Sequence, residues 1–252
     1  MAWLLDSPLM IFVLSFLVLW FAARIGVAFR QKNMEQDRHQ DFELILASIL
    51  TLLGLIIGFS FSMAVSRYDQ RKNYEEEEAN AIGTEYVRAD LLPAADAARA
   101  HTLLKAYLDQ RLLFYTLRDE PRLHQVDVYT AQLQNELWSV AATSVRTLPA
   151  PVAAIVLSGM NDVLNRQGYT LAAWRNRIPG AAWVLMLAIA ILCNLLIGYG
   201  AHRRYALLFL ILPLALSISF FLIADIDSPR GGAIRIYPQN LEGLSQSLPG
   251  QQ

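Results

Sequence analysis

The side chains that could carry out catalysis or bind a metal are few and widely separated in this chain of 252 residues. The four histidines lie at His39, His101, His124 and His202. None has a partner at metal-ligand spacing, and the sequence contains no phosphate-binding loop, dinucleotide-binding glycine motif or nucleophile elbow. The sequence therefore predicts that the protein is not an enzyme and binds no metal or cofactor.

The acidic run from Glu75 to Glu78 is the densest group of candidate metal ligands. Such a run attracts cations, but successive positions of a helix point in different directions. A calcium or magnesium site needs several oxygen atoms that converge on one point. The run is therefore interpreted as a solvated helix surface.

Basic residues follow an apolar stretch in the segment from Gly58 to Tyr74. Arg67, Arg71 and Lys72 lie where a helix leaving a membrane would reach water. Their charge would concentrate anions, although the glutamates that follow oppose this effect. The segment predicts a membrane helix that becomes charged abruptly at its end.

A second charged segment, from Asp225 to Pro238, follows the last apolar stretch. Its centre is the motif Asp227, Ser228, Pro229, Arg230, Gly231 and Gly232. Proline and glycine end helices, so the plain interpretation is a loop that leaves a helix. The acidic and basic side chains in this segment would also suit a surface that docks onto a partner. The sequence favours neither the plain loop nor the docking surface over the other.

The elements that must position these segments are four stretches without a charged side chain. They are Ser7 to Ala23, Leu44 to Ser66, Ile178 to Ala201 and Tyr205 to Ala224. A helix of roughly 20 apolar residues crosses the bilayer core and satisfies its own backbone hydrogen bonds there. Charged residues make up 17% of the chain, against about 25% in soluble domains, and the net charge of −1 gives no indication of a nucleic-acid partner. The sequence predicts an all-α membrane protein with four transmembrane helices in a lipid bilayer.

Residues 67–177 differ from these stretches because they contain 13 basic and 14 acidic side chains. Prolines divide this region into four helix-length pieces, at Pro93, Pro121, Pro149 and Pro151. The last three pieces carry apolar residues on one side at helical intervals, as in a packed bundle. The predicted organisation is two transmembrane helices in 1–66, a helical extramembrane domain in 67–177, two further transmembrane helices in 178–224 and a C-terminal tail in 225–252.

The spacing of Gly58, Phe59 and Arg67 resembles a pattern of the bestrophin superfamily. Bestrophins have a Gly-Phe pair late in the second membrane helix and an arginine eight residues after the phenylalanine. The chain resembles their bestrophin-like bacterial branch more closely, through EEANAIGTEYVRADLLP, from Glu77 to Pro93, and through DSPRGG. It departs from channel-forming bestrophins directly after Arg67, where that family has two tryptophans.

The resemblance implies a pentameric anion channel in which the second helix of each subunit lines the pore. Carried over by position, Phe59 would form a narrow apolar neck, with Leu55 and Thr51 one and two turns earlier on the same face. A ring of apolar side chains can gate a pore by dewetting. Bestrophins also have an acidic calcium clasp after the fourth helix, and because this chain lacks such an acidic run, calcium gating is not expected.

Charge alone does not decide how the chain is oriented in the membrane. The short loops carry Arg24, Arg30, Lys32, Arg38, Arg203 and Arg204. The positive-inside rule would place these loops in the cytoplasm, but a similar number of basic residues flanks the opposite side. The resemblance implies instead that both termini and the helical domain are cytoplasmic, in a bacterial inner membrane.

The leading hypothesis is a bestrophin-like homo-oligomer that conducts anions through a pore lined by the second helix, with Arg67, Arg71 and Lys72 at one mouth. The alternative is a membrane-anchored scaffold or sensor whose helical domain binds partners and whose membrane helices conduct nothing. Water along the second helix would distinguish them, because a scaffold predicts a dry and packed helix there.

Overall fold

The computed structural model describes residues 7–29, 36–200 and 208–249, and all regular structure in those ranges is helical. Its α-helices are α1 (Pro8–Ala28), α2 (Gln36–Arg88), α3 (Ala94–Thr116), α4 (Glu120–Ser144), α5 (Ala150–Arg175), α6 (Gly180–Gly200), α7 (Leu208–Asp227) and α8 (Gln239–Ser247). Short 3₁₀ turns at Ala89–Leu91 and Val145–Thr147 follow α2 and α4. The prediction of an all-α protein is confirmed.

Within the described ranges, four segments are long and apolar enough to cross a membrane. They are α1, the apolar part of α2, α6 and α7, which match the four uncharged stretches of the sequence. The predicted fold class, with four membrane helices and a helical region between the second and third, is confirmed. His202 and the basic loop residues Arg30, Lys32, Arg203 and Arg204 lie outside the described residues.

The chain forms two compact units. Unit 1 contains the described residues within Met1–Tyr68 and Arg177–Arg235, and unit 2 contains those within Asp69–Asn176 and Ile236–Gln252. The apolar stretches belong to unit 1, whereas residues 69–176 of the charged region, with its prolines, belong to unit 2.

Unit 1 is held together by the packing of α1 against α6 and α7. Glycines allow α1 and α6 to approach closely. A Cβ atom on Gly26 would lie 2.1 Å from the carbonyl oxygen of Leu195, and one on Gly198 would lie 2.0 Å from that of Ala23. Small residues serve this purpose in membrane helices, where close backbone contact replaces the hydrophobic effect. The buried core of the unit includes Leu19, Leu53, Ala64, Met186, Cys193, Phe220 and Ile223.

Unit 2 is a bundle in which each helix buries one apolar side. Prolines lie at its helix starts: Pro93 immediately precedes α3, Pro121 lies in the first turn of α4, and Pro149 immediately precedes α5. Proline fits the first turn of a helix because no backbone N–H is needed there. The buried apolar residues include Leu104, Tyr107 and Leu108 of α3, Leu133 and Leu137 of α4, and Val156, Met160 and Val163 of α5.

Candidate functional site

The face of α2 that carries Thr51, Leu55 and Phe59 is uncovered in the single chain. The Leu55 side chain is 55% exposed and that of Phe59 is 63% exposed. A Cβ atom on Gly54 or Gly58 would have no neighbour within 4 Å. The hydroxyl of Thr51 donates a hydrogen bond to the Ala47 carbonyl of the same helix, at 2.8 Å. The structure thus places the three predicted neck residues on one open helix face.

The opposite side of α2 is packed into the core of unit 1. Leu53, Ser60 and Ala64 are all buried. Across the whole apolar window of α2, however, 11% of the residues are buried, the smallest share among the four membrane segments of the described chain. The second helix therefore has a narrow buried side and a wide open one.

The three basic residues predicted at the mouth have different environments. Arg67 pairs with Asp227, with Nη1 3.5 Å from the carboxylate oxygen. Arg71 is buried and donates hydrogen bonds to the carbonyls of Ala173, at 3.1 Å, and Asn176, at 3.0 Å. These carbonyls lie at the C-terminal end of α5, which a positive charge stabilises. Lys72 is exposed.

The segment after α7 folds into a tight loop around the buried carboxylate of Asp225. That carboxylate accepts hydrogen bonds from the backbone N–H groups of Ala233, at 2.7 Å, and Ile234, at 2.8 Å. A Cβ atom on Gly232 would lie 2.5 Å from the Asp225 carbonyl oxygen, so the close return of the chain requires glycine there. Within the turn, the N–H of Gly231 donates to the Ser228 hydroxyl at 3.1 Å.

Contacts with the rest of unit 1 are made at the start of the DSPRGG motif and just beyond its end. Asp227 accepts a hydrogen bond from the Ile178 N–H, at 3.1 Å, in addition to its pairing with Arg67. Beyond the motif, the Tyr68 hydroxyl donates to the Arg235 carbonyl at 3.4 Å. Within the motif, Pro229 is buried and Arg230 half-buried.

Sequence reasoning missed a buried polar network in unit 2. Glu78 and Arg111 are both completely buried and form an ion pair. The Glu78 carboxylate also accepts hydrogen bonds from the hydroxyls of Tyr115, at 3.3 Å, and Thr170, at 3.1 Å. Burial, and then the nearby carboxylate, raise the pKa of the Tyr115 phenol, which therefore acts as a hydrogen-bond donor. The spacing of these residues along the chain gave no indication of this network.

The acidic run is not the uniformly solvated surface that the sequence predicted. Glu75 is buried and accepts hydrogen bonds from the backbone N–H groups of Asn240, at 3.0 Å, and Leu241, at 2.9 Å. It thereby caps the N-terminus of α8, where negative charge is favourable. Glu77 pairs with Arg166, and Glu76 is exposed. No group of His, Cys, Asp or Glu that could hold a metal ion occurs among the described residues.

Comparisons with known proteins give a consistent result. A family model described as a bestrophin-like domain matches residues 9–241. The crystal structure of a bacterial bestrophin homologue from Klebsiella pneumoniae is similar, with a TM-score of 0.63 at 14% identity over 94% of this chain and 99% of that chain. A variant of that homologue with one substitution is similar with a TM-score of 0.65 and 13% identity. The match covers 96% of this chain and 99% of that one. At these identities the similarity to solved structures concerns the fold, and a comparison with curated proteins gives no match.

Proposed function

Because the chain belongs to the bestrophin-like family, we propose that it is an oligomeric anion channel of the membrane, with α2 lining the pore. The observation that carries the proposal is the open face of α2, which presents Thr51, Leu55 and Phe59 away from the core of unit 1. In a ring of subunits this face would surround a central axis.

The two glycines of this face support contact with neighbouring helices. Gly54 and Gly58 lie beside the exposed Leu55 and Phe59, and small residues allow neighbouring helices to come close. In the assembly, Phe59 and Leu55 would form rings of apolar side chains, and such rings control conduction by excluding water from a narrow passage. The proposed ring has five subunits, as the resemblance to bestrophins implies.

At the proposed mouth, Lys72 supplies the exposed positive charge. The charges of Arg67 and Arg71 contribute less to the local field, because Arg67 is paired with Asp227 and Arg71 holds the carbonyls at the end of α5. An exposed lysine raises the local anion concentration, an effect that falls with ionic strength.

We also propose that the protein lies in the bacterial inner membrane with its termini and helical unit in the cytoplasm. A single cysteine at position 120, in a Cys193→Ser background, tests this orientation. A membrane-impermeant thiol reagent should label this cysteine from the cytoplasmic side. Labelling from the periplasmic side alone would mean that the helical unit lies in the periplasm, against the proposal.

Chloride flux through purified protein in liposomes tests the proposed function. Wild type is compared with Phe59→Ala and with Phe21→Ala, a matched control on α1 whose ring is also exposed, 55% against 63%. The proposal predicts flux above that of empty vesicles, an increase with Phe59→Ala and no change with Phe21→Ala. Absence of flux from folded, inserted protein would instead favour the scaffold or sensor.

A further inference from the structure

Glu85 of α2 is buried in unit 2, where its side chain packs against Gly159 of α5. It is 1% exposed. A Cβ atom on Gly159 would lie 1.9 Å from Oε2 of Glu85, so the carboxyl group occupies the space that any other residue at position 159 would fill. Glycine at this position therefore makes room for the carboxyl group.

The environment of this carboxyl group disfavours a negative charge. Its Oε2 atom is buried without a hydrogen-bond partner, and the nearest cationic atom, Nη1 of Arg88, is 3.9 Å away. An ionised carboxylate that lacks close hydrogen bonds is costly to bury. Burial raises the pKa of Glu85 to about 8, an effect that Arg88 opposes and Asp162 reinforces.

A cavity of about 270 Å³ lies beside this contact and is lined in part by Arg88 and Gly159. The charged groups that face it are Glu77 and Arg88 from α2, and Asp162 and Arg166 from α5. Glu77 and Arg166 already pair with each other. Arg88 is thus the cation at the cavity that a displaced carboxylate could reach.

We propose that Glu85 is a proton-dependent contact between α2 and α5, in which the neutral carboxyl group packs against Gly159 and the carboxylate leaves it for the cavity beside Arg88. On deprotonation the O–H bond breaks and the proton passes to solvent. No other reactant is needed. The proposal concerns the packing of unit 2 and does not depend on whether the protein conducts ions.

The sign of the pH effect follows from the two pKa values. Between the ordinary glutamate pKa of 4.5 and the folded-state value of about 8, the folded protein holds one proton more than the unfolded chain at this site. Glu85 therefore makes stability fall as pH rises through this window, and the fall ends above about 8. Glutamine resembles the neutral carboxyl group but does not titrate, so with glutamine at position 85 this contribution to the pH dependence of stability is absent.

The experiment measures the melting temperature of the full-length protein in detergent from pH 5 to 9. Wild type is compared with Glu85→Gln and with Glu76→Gln, which removes an exposed carboxylate from the same helix. We expect the melting temperature of wild type to fall by several degrees relative to that of Glu85→Gln as pH rises to 8. Above pH 8 the difference between the two melting temperatures should stay constant. Glu76→Gln should follow wild type.

If the melting temperatures of wild type and Glu85→Gln differ by the same amount at every pH from 5 to 9, the proposal is overturned. Infrared difference spectra of wild type between pH 6 and 9 give a second test that needs no folded variant. They should show the loss of a protonated carboxyl C=O band near pH 8, and its absence would also overturn the proposal. Because neither measurement uses ion flux, a failure here is distinguishable from a failure of the channel proposal.

Discussion

The guanidinium of Arg67 lies 3.5 Å from the carboxylate of Asp227, and the two side chains are 17% and 8% exposed. The same carboxylate accepts the N–H of Ile178, just before α6 begins. One acidic residue at the end of α7 therefore connects to the chain entering α6 and to the point where α2 becomes charged. These contacts give the first residue of the DSPRGG motif a structural role.

We expect Asp227→Asn to lower the free energy of unfolding by about 1–3 kcal/mol, because Arg67 would keep its charge in a largely buried place without its partner. Unfolding of the detergent-solubilised protein measures the change. Lys72→Ala is the control, and as an exposed change it should stay within about 0.5 kcal/mol. If the effects of Asp227→Asn and Arg67→Ala simply add in the double variant, the two residues are not coupled and the interpretation is wrong.

Substitutions in the buried pair of Glu78 and Arg111 should lower the free energy of unfolding more than substitutions in the pair of Arg67 and Asp227. We expect Arg111→Met to cost about 3–5 kcal/mol of unfolding free energy, since it leaves a carboxylate buried with only hydroxyl partners. The double variant Glu78→Leu with Arg111→Met should be more stable than Arg111→Met alone, because no unpaired charge remains.

The control for this pair is Arg99 with Glu136, which are 3.9 Å apart and 63% and 53% exposed. Breaking such an exposed pair should cost at most about 1 kcal/mol. If Arg111→Met were no more destabilising than Arg99→Met, burial would not be the source of the effect.

Features of the fold that depend on local sequence were predictable. A membrane helix needs only a sufficient run of apolar residues, and in the described ranges each of the four runs contains a helix long and apolar enough to cross a membrane. Prolines likewise indicated where helices of unit 2 begin, because proline at the first turn is a local property of the backbone.

The polar contacts could not be predicted, because their partners are far away along the chain. Glu75, Glu76 and Glu78 are the same residue type within one turn of helix, yet the first and last are buried and the middle one is exposed. What distinguishes them is the approach of Asn240 to the first and of Arg111 to the last. Arg71 was unpredictable for the same reason, since its carbonyl partners lie about a hundred residues later.

The cap that Glu75 provides for α8 gives a local prediction. We expect Glu75→Ala to speed amide hydrogen exchange in α8 by roughly tenfold, which corresponds to the loss of about 1.4 kcal/mol from a helix cap. Glu76→Ala, on the same helix but exposed, should leave exchange in α8 unchanged. Equal exchange in wild type and Glu75→Ala would show that packing, such as that of Leu244 against Gly83, holds the helix without the cap.

A polar substitution in the proposed neck tests whether water is excluded there, independently of a large change in side-chain size such as Phe59→Ala. Leu55 lies on the open face of α2, and serine in its place would let water remain in a narrow apolar passage. We expect Leu55→Ser to raise chloride flux into liposomes severalfold above wild type. Leu14→Ser is the matched control, because Leu14 is an exposed leucine of α1, at 45% against 55% for Leu55. An equal increase from both variants would point to leakage through disturbed helices, whereas an increase confined to Leu55→Ser would place position 55 on the conduction pathway.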